Sequence, residues 1–170
     1  MYQALRDLDK GCVVACNGVA VGAGFQIGLC ADMRVGFPEM KIGQSEVKAG
    51  LASVFGSYLM THHCGIGANK TLSLLGELID GTRAYEIGLL THLVPKETVL
   101  STAMDLARRL AAIAPTAMRT TKRRFRDATQ REFEEACAEG VGAQTECYES
   151  GEPQAIQRAF LERRAAKTRK

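Results

Sequence analysis

The sequence changes character near residues 94–96. Before this point, short apolar runs alternate with glycine-rich turns. After it, apolar residues recur every three or four positions. The first pattern is typical of strands that alternate with helices, and the second is typical of amphipathic helices. We therefore predict an α/β protein in two parts, with β-α units over residues 1–95 and a helical region over residues 96–170.

The first part contains several short β-α units. Residues 12–17 are apolar and rich in β-favouring side chains, which predicts a buried strand. Residues 22–24 carry two glycines, and residues 25–31 are almost wholly apolar, so we predict a buried helix whose first turn lies at the glycines. A second strand is predicted over residues 33–35. The stretch from 36 to 56 is predicted to be mostly loop, with extended pieces near Lys41–Gly43.

The remaining segments are predicted to be mainly helical. A helix over residues 54–64 should end at Gly65, and a second helix from about Ala68 should end near Gly76. Thr82 is predicted to cap a short helix. Pro115 is expected to end one helix and begin another. The apolar spacing around Phe133 predicts a further, separate helix.

The composition is that of an ordinary soluble globular protein, with 46% hydrophobic and 24% charged residues. The net charge of +3 is too small to indicate nucleic acid or a membrane surface as a partner. None of the six cysteines has C-x-x-C spacing, and most have apolar neighbours, which favours buried, reduced thiols and a cytoplasmic location. The adjacent His62 and His63 lack metal-ligand spacing, so no metal site is predicted.

Two features could carry chemistry. Gly22 and Gly24 stand at a predicted helix start, where free N–H groups and the helix dipole favour a phosphate or a developing oxyanion. By itself, Gly-x-Gly before a helix is more often a tight turn. Glu46 lies in a loop between apolar segments, where partial burial would suit a carboxylate to acid/base work. The alternative for Glu46 is an ordinary solvated side chain.

Five segments, taken together and in order, resemble motifs of the crotonase (enoyl-CoA hydratase/isomerase) family. Residues 15–26 resemble A-x-N-G-x-x-x-G-G-G-x-E, and residues 32–34 match D-x-R. Residues 42–51 are similar to F-G-x-P-E-x-x-x-G-L. Residues 81–90 resemble G-x-x-x-x-A-x-x-x-G-L-V, and residues 159–164 resemble A-F-x-E-K-R. The resemblance covers nearly the whole chain and implies a partial crotonase-type β-α spiral core followed by the C-terminal helices.

The resemblance implies an acyl-CoA thioester as substrate, with its carbonyl held between two backbone N–H groups while enolate charge develops. By match to the motif, Ala23 supplies one of these N–H groups. Glu46 aligns with the second catalytic glutamate. Gln26 stands where hydratases carry the first one, and an amide cannot take a proton from water. The resemblance therefore favours single-glutamate isomerisation over hydration, with decarboxylation and thioester hydrolysis still open. Coenzyme A enters as part of the substrate, and no other cofactor is implied.

The resemblance also implies a set of substrate-binding positions along the chain: Gly22, Gly24, Val54, Phe55, Phe160 and Arg163. Val54 and Phe55 replace part of the family's P-G-A-G-G segment and are expected to reshape the acyl pocket.

Family members carry a long N-terminal portion ahead of the first motif, and we expect this chain to lack it. The alternative to an active enzyme is a catalytically silent member that binds CoA weakly or only assembles with partner subunits. The family also implies a homo-oligomer, a trimer or a pair of trimers, assembled through the C-terminal helices.

Overall fold

Two small β-sheets form the first part of the protein. The computed structural model describes residues 1–168. The first sheet has three parallel strands in the order β1-β3-β6, namely β1 (Val13–Ala15), β3 (Met33–Gly36) and β6 (His92–Leu93). In the register of this sheet, Val14 lies opposite Arg34.

The second sheet has the order β2-β4-β5, with β2 (Ala20–Val21), β4 (Lys41–Gly43) and β5 (Ile79–Asp80). Strand β2 runs parallel to β4, whereas β5 runs antiparallel to it. Strand β4 lies inside the stretch predicted to be mostly loop and confirms the extended piece expected near Lys41–Gly43.

The helices connect and cover these strands. They are α1 (Tyr2–Arg6), α2 (Ala23–Cys30), α3 (Val54–Leu75), α4 (Gly81–Glu86), α5 (Val99–Ala111), α6 (Pro115–Ser150) and α7 (Glu152–Thr168), with 3₁₀ turns at Glu46–Ala49 and Lys96–Thr98. In the described part of the chain, every strand precedes residue 95 and every regular element after it is helical. This arrangement confirms the predicted α/β class with a helical region after the β-α units.

Helix α2 packs at the centre of the β-α units. Its apolar composition is explained by the burial of Phe25 and Leu29, which are 1% and 3% exposed. The core around it combines both sheets with α3, α4 and α5, and its fully buried members include Val35, Met40, Ile42, Met60, Leu89 and Val99. The crossover from β1 through α2 to β3 therefore fixes where α2 begins, and with it the position of residues 22–24.

Two local predictions need correction. Asp80, not Thr82, caps α4, because the Asp80 carboxylate accepts the Arg83 backbone N–H at 2.8 Å and the helix already begins at Gly81. The predicted break at Gly65 is confirmed as a kink in α3, where φ is 72° and ψ is 163°, and the helical segment after it ends at Leu75 with Gly76 as its cap, as predicted.

Helix α6 is the second correction. It is one continuous helix from Pro115 to Ser150, where the sequence pattern predicted two. No proline or strained glycine interrupts it, so the change in apolar spacing near Phe133 marks a change of packing partner. Phe133 is 3% exposed and packs edge-on against Phe55 of α3, with ring centroids 5.3 Å apart. Among the described residues, no helix combines the length and apolar character needed to cross a membrane.

Candidate active site

Helix α2 begins at a glycine whose backbone few other residues could adopt. Gly22 has φ 57° and ψ −129°, a region nearly restricted to glycine. Its N–H donates to the Gly43 carbonyl at 3.2 Å. A Cβ atom at Gly22 would lie 3.3 Å from Glu46 Oε1, so the missing side chain lets Glu46 approach the helix start. Ala23 is the first helical residue, and a first-turn N–H has no acceptor within its own helix.

Glu46 reaches this helix start from the other sheet. It follows β4 and begins the 3₁₀ turn Glu46–Ala49. Its Oε1 accepts a hydrogen bond from Gln26 Nε2 at 3.0 Å. The Gln44 amide turns its nitrogen toward the same carboxylate and donates to Oε2 and Oε1 at 2.6 and 2.5 Å. The opposite orientation would set the amide oxygen against the carboxylate. Two amides therefore hold Glu46 beside Gly22.

The Gln44 side chain is rigidly placed. It is fully buried, with 0% exposure. It packs directly on the backbone of Gly56, near the start of α3, where any side chain would overlap the amide. The glycine thus provides the space that Gln44 needs to reach Glu46.

Two opposing effects act on the Glu46 carboxyl. Burial disfavours the charged form and raises the pKa of Glu46 above its ordinary value. Hydrogen bonds from backbone N–H groups and from the Gln26 amide favour the carboxylate and oppose that rise. The net result is a raised pKa, which makes Glu46 a better proton acceptor than an exposed glutamate.

Tyr2 completes the polar cluster from helix α1. Its hydroxyl donates to Gln26 Oε1 at 2.9 Å. Its ring packs against Phe55, with centroids 4.7 Å apart. A chain of hydrogen bonds therefore runs from Tyr2 through Gln26 to Glu46.

A cavity of about 950 Å³ opens beside this cluster. Its walls are mostly apolar and come from the segment after Glu46 and from α6; they include Leu51, Ala52, Val54, Phe55, Val141 and Tyr148. The exposed Glu149 also lines it. A carboxylate next to free backbone N–H groups at the wall of an apolar cavity can move protons on a carbon acid whose carbonyl those N–H groups bind.

Residues 1–169 match a family model described as enoyl-CoA hydratase/isomerase. The chain belongs to this family. The short-chain-enoyl-CoA hydratase of Clostridium acetobutylicum is 28% identical over 96% of this chain, and the crotonyl-CoA hydratase of Syntrophomonas wolfei is 27% identical over 98%. The chain spans 63% and 64% of the length of these two relatives.

Solved structures agree with the family at the level of the fold. The carnitinyl-CoA hydratase of Mycobacterium avium superposes with a TM-score of 0.82 at 27% identity, over 94% of this chain and 63% of that one. An enoyl-CoA hydratase/isomerase of Pseudoalteromonas atlantica T6c gives 0.89 at 24% identity, over 95% and 66%. The crotonase fold is therefore confirmed.

The structure of this family member brings six of the predicted site residues to one cavity: Gly22, Ala23, Gln26, Glu46, Val54 and Phe55. It places the other three elsewhere. Gly24 lies in the first turn of α2, exposed and outside the cavity lining. Phe160 and Arg163 lie on α7 beside a separate hollow formed by that helix. Within one copy of the chain they do not reach the site, and their predicted role in substrate binding stays a prediction.

Two residues of the cluster were missed in the sequence. Gln44 lies within the motif that contains Glu46, so its position two residues earlier was a usable signal. Tyr2 had none, because its contact with Gln26 joins separate helices and leaves no local pattern.

A second buried polar cluster lies at the other end of α2. The Arg34 guanidinium donates to the carbonyls of Leu89 and Ala31 at 2.8 and 2.9 Å, and its Nη2 lies 3.3 Å from His63 Nδ1. His63 Nε2 lies 3.1 Å from the Leu29 carbonyl. Burial, and next the Arg34 charge, lower the pKa of His63 to about 4. His63 is therefore a neutral packing residue at neutral pH.

Proposed function

We propose that this protein transfers protons at carbons next to a CoA thioester, with Glu46 as the acid/base. The observation that carries the proposal is the position of the Glu46 carboxylate, 3.3 Å from where a Cβ atom of Gly22 would lie. This puts the carboxylate beside the start of α2, where the Ala23 N–H is free. A thioester carbonyl that accepts the Ala23 N–H would present its α-carbon near Glu46.

The Ala23 N–H serves as one donor of an oxyanion hole. As a proton leaves the α-carbon, negative charge moves onto the thioester oxygen. A fixed N–H aimed at that oxygen typically contributes about 3 kcal/mol of transition-state stabilisation. The positive end of the α2 dipole acts in the same direction. Because the donor is a backbone group, alanine serves here as well as glycine.

The reaction we favour is a shift of the double bond in a 3-enoyl-CoA. Glu46 removes an α-proton, and the electron pair delocalises as a dienolate onto the thioester oxygen. The protonated Glu46 then returns the proton to the γ-carbon, which leaves a 2-enoyl-CoA. One carboxylate performs both transfers, so no second base is needed.

Gln26 is the reason for favouring isomerisation over hydration. Hydration requires a base for the attacking water, and a neutral amide cannot accept its proton. The Gln26 amide is moreover engaged at both ends, donating to Glu46 and accepting from Tyr2. The related proteins carry hydratase names, so hydration is the competing outcome in the experiment that follows.

Incubation of the purified protein with 2-enoyl and 3-enoyl CoA thioesters, followed by liquid chromatography with mass detection, tests the proposal. We expect 3-enoyl substrates to change retention time at unchanged mass, and Glu46→Gln to abolish the change. Glu149→Gln, which removes the exposed carboxylate of the same cavity, should retain activity. A product heavier by one water would show that the protein hydrates its substrate and does not isomerise it. No conversion of any substrate would favour the silent family member.

We also propose a homo-oligomer built through the C-terminal helices. Helix α7 presents Phe160 and Leu161, each 54% exposed, and such apolar side chains support burial against another copy. Light scattering after size-exclusion chromatography tests this, since a monomer at micromolar concentration would contradict it.

A further inference from the structure

The orientation of the Gln26 amide decides whether a hydrogen-bond donor or an acceptor faces the Glu46 carboxylate. An amide presents two donors at its nitrogen and an acceptor at its oxygen, and it can reverse them by turning about its last bond. We propose that Tyr2 is a positioning residue that holds Gln26 with its nitrogen toward Glu46. This inference rests on the proposed function, because it assigns Tyr2 a role through the carboxylate named there as the base.

Tyr2 is built into place by the packing of helix α1. Arg6 of α1 stacks over the Phe133 ring at 4.3 Å and donates to Thr129 Oγ1 at 2.9 Å. Gln3 accepts a hydrogen bond from Gln130 at 3.0 Å. These contacts fix α1 against α6. The Tyr2 ring then rests on Phe55, so the hydroxyl is directed by several side chains and does not depend on its one hydrogen bond.

The Glu46 carboxylate can only accept, so the amide nitrogen faces it, and the Tyr2 hydroxyl completes this direction by donating to the amide oxygen. The Tyr2 hydroxyl donates to Gln26 Oε1 at 2.9 Å, which leaves the nitrogen to donate to Glu46 at 3.0 Å. Burial, with smaller contributions from neighbouring groups, raises the pKa of the Tyr2 hydroxyl, so it stays protonated and remains a donor. A reversed amide would set its oxygen against the Glu46 carboxylate, an arrangement tolerated only when Glu46 is protonated. By donating to the Gln26 oxygen, the Tyr2 hydroxyl polarises the amide and strengthens the hydrogen bond that the Glu46 carboxylate accepts, which favours the charged form of Glu46.

The other groups around Glu46 are accounted for. Gln44 donates from the end of β4, its amide packs on Gly56, and it also lies 3.2 Å from Gln26 Nε2. Helix α6 contributes three titratable groups to the cavity, which are Cys137, Tyr148 and Glu149. These groups are the same in the protein and in a Tyr2→Phe variant, so a difference in the pKa of Glu46 between the two proteins is caused by the Tyr2 hydroxyl.

The test is a titration of the Glu46 carboxyl by NMR of protein labelled with ¹³C at glutamate, with the resonance assigned by its loss in Glu46→Gln. Tyr2→Phe keeps the ring on Phe55 and removes the hydroxyl. We expect the pKa of Glu46 to rise by about 1, because the charged form loses an enforced donor. Tyr58→Phe is the matched control, since its hydroxyl donates to the Thr129 carbonyl and its ring also packs near Phe55. It should leave the Glu46 pKa unchanged.

A second background separates positioning from a general loosening of the site. In Gln26→Met, where no amide can be oriented, Tyr2→Phe should produce no further rise. An unchanged Glu46 pKa in Tyr2→Phe, an equal rise in Tyr58→Phe, or a full additional rise in the Gln26→Met background would each overturn the inference. The titration needs no substrate. A missing turnover with the expected pKa rise therefore refutes the proposed function alone, and turnover without the rise refutes this inference alone.

Discussion

The two ends of helix α2 both hold charged side chains, but they do so differently. At its C-terminal end, Arg34 is 2% exposed and donates to backbone carbonyls and His63 within a closed part of the core. At its N-terminal end, Glu46 is only partly buried, is held by two side-chain amides and borders a large apolar cavity.

The difference separates a structural charge from the charge that we propose to be reactive. Each nitrogen of the Arg34 side chain has a partner in the protein, so the group stabilises the turn between α2 and β3. The Glu46 carboxylate has lone pairs beyond those used by its amides and faces space that a ligand can fill. Burial and hydrogen bonding do not distinguish Glu46 from Arg34. What distinguishes Glu46 is the adjoining cavity and the free start of helix α2.

The largest effect is expected from removing the reactive charge. Glu46→Gln should lower turnover of a 3-enoyl-CoA by about 10²- to 10⁴-fold, the usual contribution of a general acid/base. Steady-state kinetics would measure it. Thermal unfolding should change little, since an amide fills the same space. Comparable turnover in the variant would mean that another group carries the proton.

Removing the charge of Arg34 should have the opposite effect, a large loss of stability. Arg34→Met should lower the free energy of unfolding by about 3–5 kcal/mol, because several buried carbonyls and His63 lose their donor. Urea denaturation would measure this. Arg108→Met is the matched control, since Arg108 is exposed in an ion pair with Asp105 and its loss should cost less than about 0.5 kcal/mol. Equal costs for the two variants would contradict the comparison.

Substitution of Gly22 at the start of α2 should destabilise the protein nearly as much as the loss of Arg34. Gly22→Ala should cost about 1–3 kcal/mol of stability, because its φ of 57° strains any residue with a Cβ atom. The new methyl group would also crowd Glu46, so activity should fall further than stability. Gly24→Ala is the control two residues away, since a Cβ there meets nothing within 4 Å. A similar loss in both variants would show that the helix start has no special geometry.

The smallest effect is a dependence on pH. The pKa of His63 is lowered to about 4 in the folded protein, against about 6.5 unfolded, so the unfolded chain binds more protons between these values. Stability should therefore fall as the pH drops from 6.5 to 4, by about 1–2 kcal/mol after solvent screening is allowed for. His63→Gln keeps an acceptor for Arg34 and a donor for Leu29 but does not titrate.

Denaturation of both proteins across this pH range would check the prediction. His63→Gln should lose this part of the dependence of stability on pH. If the free energy of unfolding falls equally steeply with pH in both proteins, the role of His63 is contradicted.

Much of the fold and part of the site were readable from the sequence. The glycines predicted where α2 begins, and the family motifs implied that Glu46, Gln26 and Ala23 share one site, as their position in one cavity lining now supports. The capping residue of α4 was not predictable, because Asp80 and Thr82 are both good caps and the choice depends on which residue first adopts helical angles. The contact of Tyr2 with Gln26 depends on the packing of two separate helices, and local periodicity carries no information about it.

The most direct test of Glu46 as the base is hydrogen exchange at the α-carbon of a saturated substrate. Butyryl-CoA in D₂O has no double bond to shift or hydrate, so any deuterium it gains reports α-proton removal alone. We expect the unaltered protein to incorporate deuterium, detected by mass spectrometry, and Glu46→Gln to lose this incorporation. Exchange that persists in Glu46→Gln, or no exchange with the unaltered protein, would contradict the assignment of Glu46 as the base at the start of α2.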